Sequence, residues 1–577
     1  EALRNQEFLT PGDVVVEPSR RDFLKLVGAG AAFLAAGCAR KPVEKILPYV
    51  KAPEDMQPGN AVYYASTCGE CANGCGILVK TREGRPIKLE GNPDHPVNRG
   101  TLCARGQASV INLYDPDRLR GPVNVNRSSG AASAAGWGPI DKRVTLELQR
   151  ARDAGGKIVL LTGAVGSPST RGLIRDFLAG IPTAEHVAYD AVSTDAVARG
   201  GEATYGERSI PRYRLDRADV LVTLGADPLG SFLDTVAQNR DFAKRRRPEA
   251  GNMSRVIAVE SILTLTGTNA DKRVRVRPDQ LYPFAMALAT RLGAHPQGGA
   301  GYSPDAVEAA ADLPAGTITS IADELEQARG KSLVLADPSA APAAHAVPLQ
   351  MAVNLINSAL GNDGVTVDGS RSTEAILGSD EDMLRLVERM RAGEIQALIV
   401  HGANPGYALP AAVGFADAIR RVPFVAVVSD RVDETARLGD VVAASTHYLE
   451  SWGDHEPRRG VLSLRQPAIA PLYDVRSFED SLLAWARYLG RGPLAQTAGS
   501  YHEYVRERWR TQVYPGAGAA APFDLFWEGA LRTGVVAGAE SDRTAASRAP
   551  RAGGLGAALP TGTTPENGAL TLVLYPS

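Results

Sequence analysis

Five cysteines in 577 residues are too few for a disulfide scaffold, so the fold has to rest on an apolar core. Charge of one sign is missing too. The 63 Lys and Arg against 65 Asp and Glu leave a formal charge of −2, which gives no basic field to hold nucleic acid. The leading apolar run, residues 26–39, does not reach across a bilayer: its fourteen residues make about 21 Å of helix against a hydrocarbon core of roughly 30 Å. No stretch shows G-x-G-x-x-G or G-x-x-x-x-G-K-[ST] in a supporting context, so independent nucleotide binding finds little support. The remainder, 44% hydrophobic and 22% charged residues, is ordinary for a soluble globular protein, and at about 150 residues per domain the length suggests three to four domains.

Ahead of the short apolar run stands Ser19-Arg20-Arg21-Asp22-Phe23-Leu24-Lys25, the pattern of a twin-arginine export signal. An amphipathic surface helix that begins with two arginines is the plainer alternative. Leu34-Ala35-Ala36-Gly37-Cys38 resembles a lipoprotein cleavage site, with alanine where leucine usually stands three residues before the cysteine. The preferred expectation is an unprocessed signal in which Cys38 is a small apolar residue. The start at Glu1 and the strand-like ending at 573–577 suggest a fragment at both ends.

The other four cysteines carry the chemistry. Cys68, Cys71, Cys75 and Cys103 follow the spacing C-x2-C-x3-C-x27-C, three thiols from one tight loop and a fourth from a distant one. Four soft sulfur ligands so arranged suit a cubane iron–sulfur cluster. A four-thiolate zinc site and, in an exported protein, disulfides are the alternatives. Gly69, Gly74 and Gly76 are expected to supply positive φ angles and to let backbone N–H groups approach the sulfurs.

Beyond the cysteines the chain alternates. Apolar strand-like runs at 157–163, 218–228, 255–260, 332–336, 397–401 and 424–428 are separated mostly by helical patterns, one of them at 170–179. Such alternation argues for parallel sheets covered by helices, with ligand crevices at the carboxyl ends of the strands. The loops 402–405, 430–440 and 450–453 fall at such ends.

The cysteine pattern, with Gly84-Arg85-Pro86, Glu90-Gly91-Asn92-Pro93-Asp94-His95-Pro96, Cys103-Ala104-Arg105-Gly106 and Leu113-Tyr114-Asp115-Pro116-Asp117-Arg118-Leu119, resembles the iron–sulfur domain that opens the molybdopterin oxidoreductases, the dimethyl-sulfoxide-reductase superfamily. The resemblance implies one [4Fe–4S] cluster on Cys68, Cys71, Cys75 and Cys103. It puts Arg105 between cluster and pterin, although a surface salt bridge would explain that residue equally well. It also implies an α/β fold in which a small iron–sulfur domain precedes parallel-sheet domains. The expected divisions are 1–52 for the signal and extension, 53–125 for the iron–sulfur domain, 126–297 and 298–490 for two α/β domains, and 491–577 for a helical linker segment.

Alignment with the family places Ser193 near the metal-ligand position, yet a serine capping the following helix accounts for it. Where the family has P-G-T-D, this chain has Val276-Arg277-Pro278-Asp279, with a bulky side chain for the glycine and a proline that deletes a donor. A paired Arg277, with Asp279 or Glu260 as partner, is the expected consequence.

Lys41-Pro42-Val43-Glu44-Lys45-Ile46-Leu47-Pro48-Tyr49-Val50-Lys51-Ala52-Pro53-Glu54-Asp55 is similar to the molybdopterin-like iron–sulfur component of alternative complex III, a bacterial quinol-oxidising membrane assembly. That similarity implies an electron-transfer subunit without molybdopterin, on the extracytoplasmic face of the inner membrane. Its partners would be a ferredoxin-like iron–sulfur half or subunit, a c-type haem subunit and integral-membrane quinol-binding subunits. The alternative is a catalytic molybdopterin oxidoreductase of polysulfide, thiosulfate or formate type.

Overall fold

The computed structural model describes residues 59–251, 253–294, 302–373, 375–497, 499–518, 521–537, 548–551 and 573. All of them belong to Pro58–Ser577, one of the two units into which the chain divides. The arginine-pair pattern, Cys38 and the 41–55 stretch lie outside the described residues.

Val220–Leu224 is buried at all five positions, and Lys157–Thr162 at every position but its first. Continuous apolar runs of this kind suit parallel strands covered on both faces by crossover helices. They assemble into two sheets. The larger runs in the order Ala131–Ala134, Val123–Asn126, Val441–Ala444, Phe424–Ser429, Ile395–His401, Lys157–Thr162 and Ala184–Ala188. Its last five strands are mutually parallel, and Val123–Asn126 joins them antiparallel. The smaller sheet, Lys272–Arg275, Arg255–Glu260, Val220–Leu224 and Ser332–Ala336, is parallel throughout. The expected α/β architecture is the observed one.

The expected division at 297/298 needs correcting. Ser332–Ala336 pairs with Val220–Leu224, and Lys157–Thr162 pairs with Ile395–His401, so both sheets cross that boundary. The chain leaves the larger sheet after Ala184–Ala188, builds the smaller one, and returns at Ile395–His401. The described residues beyond 490 are mainly helical and pack into the core of the larger sheet. Tyr501, Val505, Trp509 and Trp527 enter the same core as Leu160, Ile399 and Phe424, and Val535–Ala537 extends the hairpin made by Gly453–Arg458 and Val461–Arg465.

Local signals set the ends of the helices. Ser167 Oγ accepts the Thr170 N–H, and Pro168 fills the first turn of Pro168–Ala179, where a missing N–H does no harm. In front of the large sheet, Val62–Thr67, Gly76–Arg82 and Arg85–Gly91 form an antiparallel meander, followed by the helix Ala104–Leu113. Among the described residues no helix is long and apolar enough to cross a membrane.

Candidate metal centre

The turn of the first hairpin holds three of the four cysteines. Thr67 pairs with Gly76 at the end of the ladder, and the Cys68 N–H donates to the Cys75 carbonyl at 2.9 Å, which closes the loop 68–75. Cys103 caps the helix Ala104–Leu113, its Sγ accepting the Gly106 N–H at 3.4 Å. That places one sulfur at the positive end of a helix.

All four of these cysteines are free. Cys68 and Cys75 are buried, and burial pushes the Cys68 thiol up to about 12 and the Cys75 thiol well above its ordinary value, with Asp234 adding to the rise at Cys75. Thiols held this way resist ionisation until a cation arrives, and a cluster's iron supplies that charge. The four lie within electrostatic reach of one another. Even so, among the described residues no three His, Cys, Asp or Glu side chains are gathered tightly enough for a single metal ion. A cubane holds its four sulfurs further apart than one tetrahedral zinc does. Four soft sulfur donors fit such a cluster.

Three aromatic side chains wall the loop, and its glycines admit them. Gly74 has φ +51°, as expected, but Gly69 and Gly76 do not adopt positive φ. They provide room instead. A Cβ at Gly69 would lie 2.8 Å from the Tyr448 side chain, one at Gly76 would lie 2.5 Å from the His95 ring, and one at Gly74 would collide with the His455 ring. His455 Nε2 bonds the Ala72 carbonyl at 2.9 Å, and Tyr448 Oη bonds Ser109 Oγ at 2.6 Å. Asn98, wholly buried, grips Gly76 twice: its Oδ1 accepts the glycine N–H and its Nδ2 donates to the glycine carbonyl. Burial holds His95 and His455 neutral, near 3 and 4 respectively. Of these residues only His95 sits in a stretch that its sequence context singles out. Tyr448 and His455 come from more than 300 positions away and carry no local signal.

The other candidates fall in different places. Arg105 is exposed and acts electrostatically on Glu70 and Cys71, so it stands at the open side of the loop. Ser193 Oγ accepts the Asp195 N–H at 3.1 Å just ahead of Thr194, the N-cap of the helix Asp195–Tyr205, and it also bonds Asp380, so it lies in the turn that enters the helix and is not its cap. Arg277 pairs with Asp279 through two bonds of 3.1 and 3.2 Å, while Glu260 is taken by Arg273. At the carboxyl ends of Ile395–His401 and Phe424–Ser429 lies a cleft of about 300 Å³, whose lining includes His401, Asn404, Asp430, Asp433 and Thr446. Loops 402–405 and 430–440 thus meet where the strand order predicts a crevice. Glu450, from the third such loop, is buried against Arg118.

Residues 62–115 match the molybdopterin oxidoreductase Fe4S4 domain family. The chain is 26% identical over 550 residues to the menaquinone reductase molybdopterin-binding-like subunit of Nitratidesulfovibrio vulgaris, covering 89% of this chain and 77% of that one. It is 26% identical over 287 residues to the molybdopterin-containing subunit of the arsenate respiratory reductase of a Shewanella species, covering 48% of this chain and 33% of that subunit. A nitrate reductase of Symbiobacterium thermophilum shares 30% identity over 138 residues, 24% of this chain and 17% of its own length. In three dimensions the acetylene hydratase of Pelobacter acetylenicus has the same fold, with a TM-score of 0.60 at 13% identity, over 74% of this chain and 69% of that one. The hairpin cysteine loop and these likenesses make residues 62–115 a molybdopterin oxidoreductase Fe4S4 domain, and the two parallel sheets give the chain a fold shared with the acetylene hydratase.

Proposed function

We propose that the chain is the iron–sulfur subunit of a quinol-oxidising membrane respiratory complex of the alternative complex III kind. Cys68, Cys71, Cys75 and Cys103 ligate its one [4Fe–4S] cluster, and its pterin crevice stays empty. The observation that carries this reading is the set of four free thiols, brought together by one hairpin and one helix start. When bound, the cluster supplies a one-electron site. The chain's own residues orient and shield it: Asn98 fixes the loop at Gly76, Tyr448 and His455 cover it, and the Gly106 N–H points at a ligand sulfur. The likeness to a subunit named molybdopterin-binding-like supports a role inside a respiratory complex. Ferredoxin-like, c-type haem and integral-membrane quinol-binding subunits are the proposed partners. The Ser19–Lys25 pattern supports an extracytoplasmic position, held to the membrane by those subunits.

A pterin dinucleotide needs N–H donors around its pyrophosphate. At the carboxyl ends of Val220–Leu224, Arg255–Glu260 and Ser332–Ala336 this chain presents Asp227, Glu260 and Asp337. Thr266 donates to Asp227, Thr264 to Glu260 and Ser339 to Asp337, and Asp279 occupies Arg277. Carboxylates stand at these strand ends, and the nearby guanidiniums of Arg273 and Arg277 are committed to two of their neighbours. This arrangement supports a crevice without the dinucleotide.

Metal analysis of the native assembly is the test. Iron near four per chain without molybdenum or tungsten is the expected result. Molybdenum near one per chain would make this a catalytic molybdopterin subunit, as the likeness to an arsenate reductase subunit would then imply. Zinc without iron would end the electron-transfer reading.

A further inference from the structure

Hydrogen bonds to the sulfurs of an iron–sulfur cluster help to set its reduction potential. At Cys71 and Cys103 the donors are backbone N–H groups, those of Asn73 and Gly106, which any sequence of this shape supplies. Cys68 differs. Besides the Glu70 N–H it has a side-chain donor within hydrogen-bonding reach, the phenol of Tyr448. Tyr448 is no part of the cysteine motif, and it opens the short turn Tyr448–Glu450. That turn is held at both ends. His447 caps it by accepting the Leu449 N–H, and Glu450 completes the capping box while paired with the fully buried Arg118.

The ring is fixed as well. It lies against Gly69 and packs on the core that contains Cys68 and Cys75. Its hydroxyl is held at 2.6 Å by Ser109 Oγ, a buried side chain on the helix that Cys103 caps. Ser109 carries one hydrogen and has two acceptors, the Gly106 carbonyl at 2.9 Å and Tyr448 Oη. Tyr448 also carries one hydrogen, with Ser109 Oγ and the Cys68 sulfur as its acceptors. A ligating thiolate is the charged one of these acceptors, and charge-assisted hydrogen bonds are the stronger. With a cluster bound, the phenol hydrogen goes to the sulfur and the serine donates to the phenol oxygen. Burial pushes the phenol above its ordinary value, so that hydrogen stays on the oxygen.

We infer that Tyr448 tunes the cluster: its hydroxyl donates to Cys68 Sγ and holds the reduction potential above the value that the backbone donors alone would give, with Ser109 as the positioning residue. This rests on the cluster assignment proposed above. Reduction adds negative charge that spreads onto the sulfurs, so an O–H aimed at one of them favours the reduced form.

Redox titration of the full-length protein, followed by the electron paramagnetic resonance signal of the reduced cluster, tests it. Tyr448→Phe keeps the ring against Gly69 and deletes only the hydroxyl, so its midpoint potential falls below wild type at unchanged iron content. Ser109→Ala removes the group that orients the phenol and gives a smaller fall. The double variant matches Tyr448→Phe, because the serine acts only through the phenol. Iron–sulfur stretching bands in resonance Raman spectra shift more in deuterium oxide for wild type than for Tyr448→Phe. A merely structural role would lower iron content in Tyr448→Phe and leave the potential of the remaining cluster in place. Should Tyr448→Phe fail to hold its cluster, Ser109→Ala decides, since its potential must then fall. A Tyr448→Phe potential at or above wild type with full iron overturns the inference, as does an unmoved Ser109→Ala potential where that variant decides. Wild-type protein without iron removes the cluster assignment itself, and that is read before any variant is made.

Discussion

Replacing Glu450 by alanine should unsettle the junction between the iron–sulfur domain and the large sheet. Arg118 Nη2 and Glu450 Oε2 are 2.6 Å apart, Nη1 and Oε1 are 3.3 Å apart, and both side chains are fully buried. The carboxylate also accepts the backbone N–H of His447 and of Leu472, at 2.8 and 2.9 Å. Without it, the guanidinium keeps only the Leu113 carbonyl as a hydrogen-bond acceptor among the described residues. Removing one partner of a buried pair costs about 3–5 kcal/mol, because a charge is left behind without compensation. Glu450→Gln keeps the volume and one acceptor oxygen, so about 1.5–3 kcal/mol is the expected loss. Leu113 and Leu449, which flank the pair in sequence, share a core with Cys68 and Cys75, so iron per chain should fall along with stability. Urea unfolding followed by tryptophan fluorescence, with iron content alongside, measures both. The double variant Arg118→Met/Glu450→Leu leaves no orphan charge and should recover most of the loss. An alanine variant within about 1 kcal/mol of wild type would refute the reasoning, as would a double variant no better than the single one.

Cys71→Ser exchanges a thiolate for a poor iron ligand, so the cluster should be lost or converted to a three-iron form, seen as iron per chain below four and a changed resonance signal. Gly74→Ala combines a left-handed backbone with a Cβ inside the His455 ring, and should destabilise by at least about 1–2 kcal/mol while lowering cluster occupancy. Stability should fall with acid. Burial holds His186 and His447 neutral down to about 4, whereas the unfolded chain protonates them from about 6.5. Their contribution is complete above 6.5 and is lost as pH drops toward 4, at up to about 1.4 kcal/mol per histidine per pH unit. Urea midpoints that stay flat from pH 7 to 4.5 would contradict this.

The cysteine quartet was legible because a cluster is bound mostly by one loop, and a loop is a local object. The strands were legible for the same reason: Lys157–Thr162 and Val220–Leu224 announce themselves as buried runs. Their partners were not. Both sheets draw on interchangeable Val, Ile and Leu segments, and nothing in Ser332–Ala336 says that it pairs with Val220–Leu224 rather than with a strand of the larger sheet. The residues around the loop were illegible in the same way. His455 carries no local signal of its part in the site, and only the fold brings it against Ala72. The loop glycines were half legible. A positive φ was expected at three of them and occurs at one, because the other two are set by rings that pack directly against them, Tyr448 from a distant segment and His95 from the neighbouring turn.

The cysteine loop and the mouth of the smaller sheet differ in how far their polar groups are already satisfied, and this difference ties the proposed function together. A site built for a ligand keeps groups that only the ligand completes, whereas a site without one re-pairs its own groups. At the cysteine loop the Cys68 and Cys75 thiols are driven up by burial. Each of these is relieved by an anionic cluster carrying its own iron. At the mouth of the smaller sheet the charged groups are matched: Arg277 with Asp279, Arg273 with Glu260, Thr266 with Asp227. Tyr282 Oη and His345 Nδ1, which have no hydrogen-bond partner there, are neutral, and neither offers a charge to a pyrophosphate. The cysteine loop thus keeps the demand of an iron-bearing cofactor, which is the pattern expected of the electron-carrying subunit proposed above.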